Sequence, residues 1–89
     1  MRQWGTEGAG QGQFNQPYGV TVSGGNEVIV CDALNHRIQV FGLDGTFVRQ
    51  WGTRGAGQGQ FNRARGVAMS GVDELVVCDT LNDRIQVFK

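Results

Sequence analysis

Few side chains in this 89-residue chain could do chemistry of their own. There is one histidine, His36, and there are two cysteines, Cys31 and Cys78. Zinc takes three or four ligands, so a lone histidine builds no zinc site within one chain. A nucleophilic cysteine needs a polarising histidine and an accessible thiol. His36 follows Cys31 past a turn, but Asp83 stands at the equivalent place after Cys78, so that pairing is not kept. Both cysteines fall in apolar runs and read as reduced core residues. Asp32 with Asn35, and Asp79 with Asn82, offer one carboxylate and one amide each, short of the oxygen shell calcium collects. Asx side chains bond nearby backbone at turns. These four residues are therefore read as turn-shaping, with Arg37 and Arg84 tying neighbouring turns through the aspartates. Gly8-Ala9-Gly10-Gln11-Gly12 is not the spacing of a phosphate loop, and a strand pattern follows it rather than a helix. No catalytic residue, metal or cofactor is expected.

Binding is what remains. Arg54, Arg63 and Arg65 fall within twelve residues of one another, on loops of one face. With Tyr18 and His36 they could hold phosphates and stack a base, or take an acidic peptide. Composition gives this only local support. Eight Lys/Arg balance eight Asp/Glu, so no net field draws the chain to nucleic acid or membrane. No apolar run approaches the roughly 18 residues of a membrane helix. The opening Met-Arg-Gln-Trp-Gly lacks the apolar core of a signal peptide. A cytoplasmic location with no membrane partner is expected.

The elements that position these residues come from an internal repeat. Residues 2–42 align on 49–89 at an offset of 47, with 28 of 41 positions identical, and 43–48 begin the shared outer strand. Identity this high points to recent duplication or to design. Four short runs per repeat are rich in Val, Ile, Phe and Trp: 19–22, 27–31, 37–41 and 46–51 in the first copy. Ser23-Gly24-Gly25-Asn26 and Asp44-Gly45 supply the turns. No window carries helical periodicity with caps. Four such strands make one small antiparallel sheet, and its apolar residues point to both faces. A sheet like that must be sandwiched by others, which stacking copies around an axis achieves. The expected fold is all-β: a β-propeller with two four-stranded antiparallel blades in one unit, residues 1–89.

The residues that repeat are recognisable. Gly12-Gln13-Phe14-Asn15, Pro17, Gly19-Val20, Val30-Cys31-Asp32, Asn35-His36-Arg37-Ile38-Gln39-Val40-Phe41, Asp44-Gly45 and Trp51-Gly52 together resemble the NHL repeat. The resemblance implies a propeller, commonly of six blades and often found in TRIM-type ubiquitin ligases. It implies binding of proteins or single-stranded RNA on one rim. A minority of relatives are lyase-like enzymes with metal-binding histidines. Pro17 becomes Ala64 and His36 becomes Asp83 in the second copy, so rim contacts do not carry over unchanged.

Two blades do not close a ring. Arg2-Gln3-Trp4 reads as an outer strand with no strand before it, and Ile85-Gln86-Val87-Phe88 as a third strand with no fourth after it. Unpaired edges recruit other chains, and a unit this small has little core of its own. Head-to-tail contacts close into rings when the rotation divides the circle. The expected partner is the chain itself, as a homotrimer of six blades, with a tetramer of eight as the alternative.

Overall fold

The computed structural model describes residues 1–71 and 73–89. Strands β1 (Thr6–Glu7) and β2 (Gln13–Phe14) form a short parallel pair across the glycine-rich loop. Strands β3 (Pro17–Val22), β4 (Glu27–Asp32), β5 (Arg37–Gly42) and β6 (Phe47–Trp51) follow as a four-stranded antiparallel sheet in chain order. Strands β7 (Ala64–Met69), β8 (Leu75–Asp79) and β9 (Arg84–Phe88) form a second, three-stranded sheet of the same hand-over-hand order. Each link between the second and third strands of a sheet is a single 3-10 turn, Ala33–Asn35 and Thr80–Asn82. No α-helix occurs among the described residues, and no helix is long and apolar enough to cross a membrane. The architecture is all-β, two partial propeller blades. Strands β3, β4 and β5 run one or two residues beyond the apolar runs, with Pro17 and Asp32 extending the ladder between β3 and β4, while β6 begins one residue later than its run.

Register explains the packing. Val20 pairs with Val30 and Val22 with Val28, while Ile29 pairs with Val40 and Cys31 with Ile38. Side chains alternate across a strand, so the first blade has a Val20/Val22/Val28/Val30 face and an Ile29/Cys31/Ile38/Val40 face. The second of these joins Phe61, Ala64, Leu75 and Val77 in one buried cluster, with Trp51, Val67, Met69 and Phe88 against it. The core therefore lies between the blades. The two outward faces have no such cover: Val20 and Val22 are 61% and 51% exposed, and Ile85 and Val87 are 59% and 54% exposed.

Two expectations change. Arg2-Gln3-Trp4 forms no strand here, because a strand needs a neighbour to bond and none is present beside it. Trp4 is nonetheless placed: its ring lies 5.8 Å from that of Phe41 at 55°. Trp51 stands in the same relation to Phe88, at 5.6 Å and 59°. Cys31 is fully buried, but Cys78 is exposed rather than a core residue. Its face of the second blade is the one with nothing packed on it.

Candidate functional site

A polar clamp fixes the rim. Asp32 is wholly buried at the end of β4. Its Oδ1 accepts the Asn15 backbone N–H at 2.8 Å. Its Oδ2 accepts Asn35 Nδ2 at 2.9 Å, Arg37 Nε at 2.8 Å and Gln39 Nε2 at 3.2 Å. Arg37 also donates to the carbonyls of Ala9, Gly10 and Gln13. The carboxylate thus pins the glycine-rich loop onto the sheet. Asp79, Asn82, Arg84 and Gln86 repeat the arrangement on the loop of the second blade. Burial alone would raise the Asp79 carboxyl. The Asn62 N–H, the Asn82 amide and the Arg84 guanidinium outweigh it and hold that carboxyl below the usual range. Gln39 and Gln86 complete the two clamps from inside otherwise apolar strands. Their signal is a glutamine repeated inside an otherwise apolar strand at the same distance from the aspartate in both copies.

The clamp holds the 3-10 turns, and each turn ends on a left-handed residue: His36 at φ 53° and Asp83 at φ 53°. His36 is thereby aimed at the following blade, where its Nδ1 accepts the Arg63 backbone N–H at 3.0 Å. That bond sets Nδ1 as the unprotonated nitrogen. Desolvation, then the charges of Arg54 and Arg63, lower the His36 pKa from its ordinary value. Asn15, Leu34, His36, Arg54, Asn62 and Arg63 line a pocket of about 300 Å³ at this joint between blades.

Tyr18 and Arg65 lie elsewhere on the same end of the blades. They are repeat equivalents, offset by 47, and sit beside irregularities in the β3–β4 and β7–β8 ladders. Bulges re-aim side chains, and here the Arg65 guanidinium carbon stands 5.0 Å over the Tyr18 ring. Arg65 Nε is buried without a hydrogen-bond partner among the described residues. The structure therefore divides the five rim residues into two groups. His36, Arg54 and Arg63 meet in the joint pocket, and Tyr18 and Arg65 stack on the inner strands. The described residues bring together no group of three His, Cys, Asp or Glu side chains fit to hold a metal ion.

A four-stranded and a three-stranded antiparallel sheet packed face to face, each with a charged clamp under a rim turn, define a piece of a β-propeller. Residues 14–41 match the NHL repeat family model, so this stretch of the chain is similar to one NHL repeat. The B-box type zinc finger protein ncl-1 of Caenorhabditis elegans is 47% identical over 45 residues, which cover 51% of this chain and 5% of that protein. Protein brain tumor of Drosophila melanogaster is 47% identical over 45 residues, covering 51% of this chain and 4% of that protein. The E3 ubiquitin-protein ligase TRIM71 of Rattus norvegicus is 46% identical over 44 residues, covering 49% and 5% respectively. Each aligned stretch is about one repeat, so the comparison extends to only about a twentieth of the length of these relatives.

Proposed function

We propose that the chain is a non-catalytic interaction scaffold whose propeller is completed by copies of itself, a homotrimer of six blades, with a tetramer of eight as the alternative. The supporting observation is a pair of glycines. Gly19 on β3 has no room for a side chain, because a Cβ there would meet the Arg65 carbonyl oxygen and, at 3.2 Å, the Gly66 Cα of β7. Gly66 is the repeat equivalent of Gly19, yet a Cβ there meets only the Cys78 Cβ, at 3.3 Å. Gly66 is shaped for a neighbour that the single chain does not supply. The outward faces agree with this. Val76, Cys78, Ile85 and Val87 are equivalent to the Ile29, Cys31, Ile38 and Val40 face, and Val20, Val22, Val28 and Val30 to the Val67, Met69, Leu75 and Val77 face. Those two surfaces already fit one another inside the chain. Trp4 waits on Phe41 as Trp51 rests on Phe88, which sets Arg2, Gln3 and Trp4 to pair with Val87, Gln86 and Ile85 of the next copy in the register of Arg49, Gln50 and Trp51 on β5.

Native mass spectrometry and light scattering of the 89-residue chain test the reading. Three or four chains per particle support it, and a folded monomer at micromolar concentration refutes it. Gly66→Ala should keep the monomer fold and abolish assembly.

A second reading rests on the Arg65–Tyr18 stack: single-stranded RNA or acidic peptide held by Arg54, Arg63, Arg65 and Tyr18, with His36 alongside. A protein or single-stranded RNA partner and a cytoplasmic location belong to this reading as what the family resemblance implies. Fluorescence titration with short RNAs at two salt concentrations decides it, since phosphate contacts weaken steeply with salt. Absent or salt-insensitive binding removes it.

A further inference from the structure

The joint within the chain and the joint between copies share a backbone but not a charge. Within the chain, His36 at φ 53° accepts the N–H of Arg63, itself at φ 55°, and Arg54 faces the same histidine. Between copies the equivalent residues are Asp83 at φ 53°, Gln16 at φ 54° and Glu7. The backbone is already set for Asp83 to accept the Gln16 N–H of the next copy. Arg54 and Arg63, however, are replaced by Glu7 and a neutral glutamine. Asp32 is bonded to Arg37 and Asp79 to Arg84, the same two aspartates that act on His36. Glu7 and Asp83 are both exposed, and neither forms an ion pair among the described residues.

We propose that Glu7 sets the strength of the joint between copies by opposing Asp83 of the neighbouring chain. The surface is a docking face for a second copy, and it would hold more tightly a blade with a cation at the Asp83 position. This rests on the ring reading above. Around a closed ring, cationic joints within chains alternate with anionic joints between them. Apolar faces drive the docking, and the facing carboxylates limit it.

Sedimentation equilibrium of the 89-residue chain at about 50 and 300 mM NaCl tests this, with Glu7→Arg as the variant. Arginine occupies the equivalent position 54, so the variant should fold. Facing carboxylates repel and salt screens them. The unaltered chain should therefore assemble more tightly at the higher salt. Glu7→Arg should assemble more tightly than the unaltered chain, by about threefold per joint at the lower salt, and its salt response should reverse sign. Assembly of both proteins with equal strength and the same salt response would overturn the role of Glu7 and leave the ring intact. No assembly of either at any concentration would overturn the ring reading, and this inference with it.

Discussion

Gly19 lies so close to Arg65 that any side chain at position 19 would run into the Arg65 carbonyl oxygen. The inner strands β3 and β7 pack backbone to backbone, and this contact sets the spacing of the blades. Gly19→Ala should cost about 1–3 kcal/mol through overpacking. Urea denaturation followed by tryptophan fluorescence reads the loss as a lower midpoint at unchanged slope. Gly66→Ala, in the monomer, should move the midpoint far less, since the Cys78 side chain is all it meets. Equal losses from the two substitutions would mean that the blades do not approach as described.

The two clamps should differ in worth although their bonds match. The Arg37 side chain is 9% exposed and the Arg84 side chain 30%. Asp32→Ala strands a buried guanidinium and should cost about 3–5 kcal/mol. Asp79→Ala leaves Arg84 in reach of water and should cost clearly less. Acid acts through the Asp79 carboxylate. Asp79 has a depressed folded-state pKa. Its contribution is complete above the unfolded value near 3.8 and is lost as pH falls through the folded value. Denaturation midpoints across pH 2–6 should therefore fall at the acid end, and fall less in Asp79→Ala.

Local rules account for most of the strands. Val-Ile-Val-Cys at 28–31 and Arg-Ile-Gln-Val-Phe at 37–41 are strands because β-branched and aromatic residues fit a pleated, half-buried surface. Asp32 and Asn35 were legible as turn residues. The four bonds that converge on Asp32 were not, because the Asn15 loop and the Gln39 side chain of β5 reach it only once the sheet has folded. Arg65 over Tyr18 was out of reach for a similar reason: the pair meets only once two blades pack at the repeat offset. Arg2–Trp4 has strand composition but no strand, since pairing depends on a neighbour rather than on composition. Cys78 shows the same dependence, with an apolar run around it and open solvent over it.

His36 links stability to pH in the physiological range. The folded state needs Nδ1 unprotonated for the Arg63 N–H, and it keeps the ring away from a further charge beside Arg54 and Arg63. A histidine with a lowered folded pKa contributes fully above its unfolded value of about 6.5, and that contribution is lost as pH falls from there through the folded value. NMR titration of the imidazole should give a pKa below 6.5. His36→Asp copies the second repeat, suits the left-handed backbone, and puts a carboxylate before two arginines. It should stabilise the chain by about 0.5–1 kcal/mol and flatten the pH dependence between 5 and 7.

Thiol reactivity offers a measure of ring closure that needs no particle mass. Cys31 is fully buried, and burial pushes its thiol up to about 12, so it should stay inert in any folded state. Cys78 is exposed on the open face of the second blade. In a closed ring that face is covered as the Cys31 face is covered within the chain. A disulfide reagent should therefore modify about one thiol per chain in dilute solution and fewer as concentration rises, with full denaturant releasing the second. Gly66→Ala, which blocks docking at the inner strand, should hold reactivity at one thiol per chain at every concentration. A single reactive thiol that persists in the unaltered chain at micromolar concentration would show that the face stays open, and would rule out closure by a second copy.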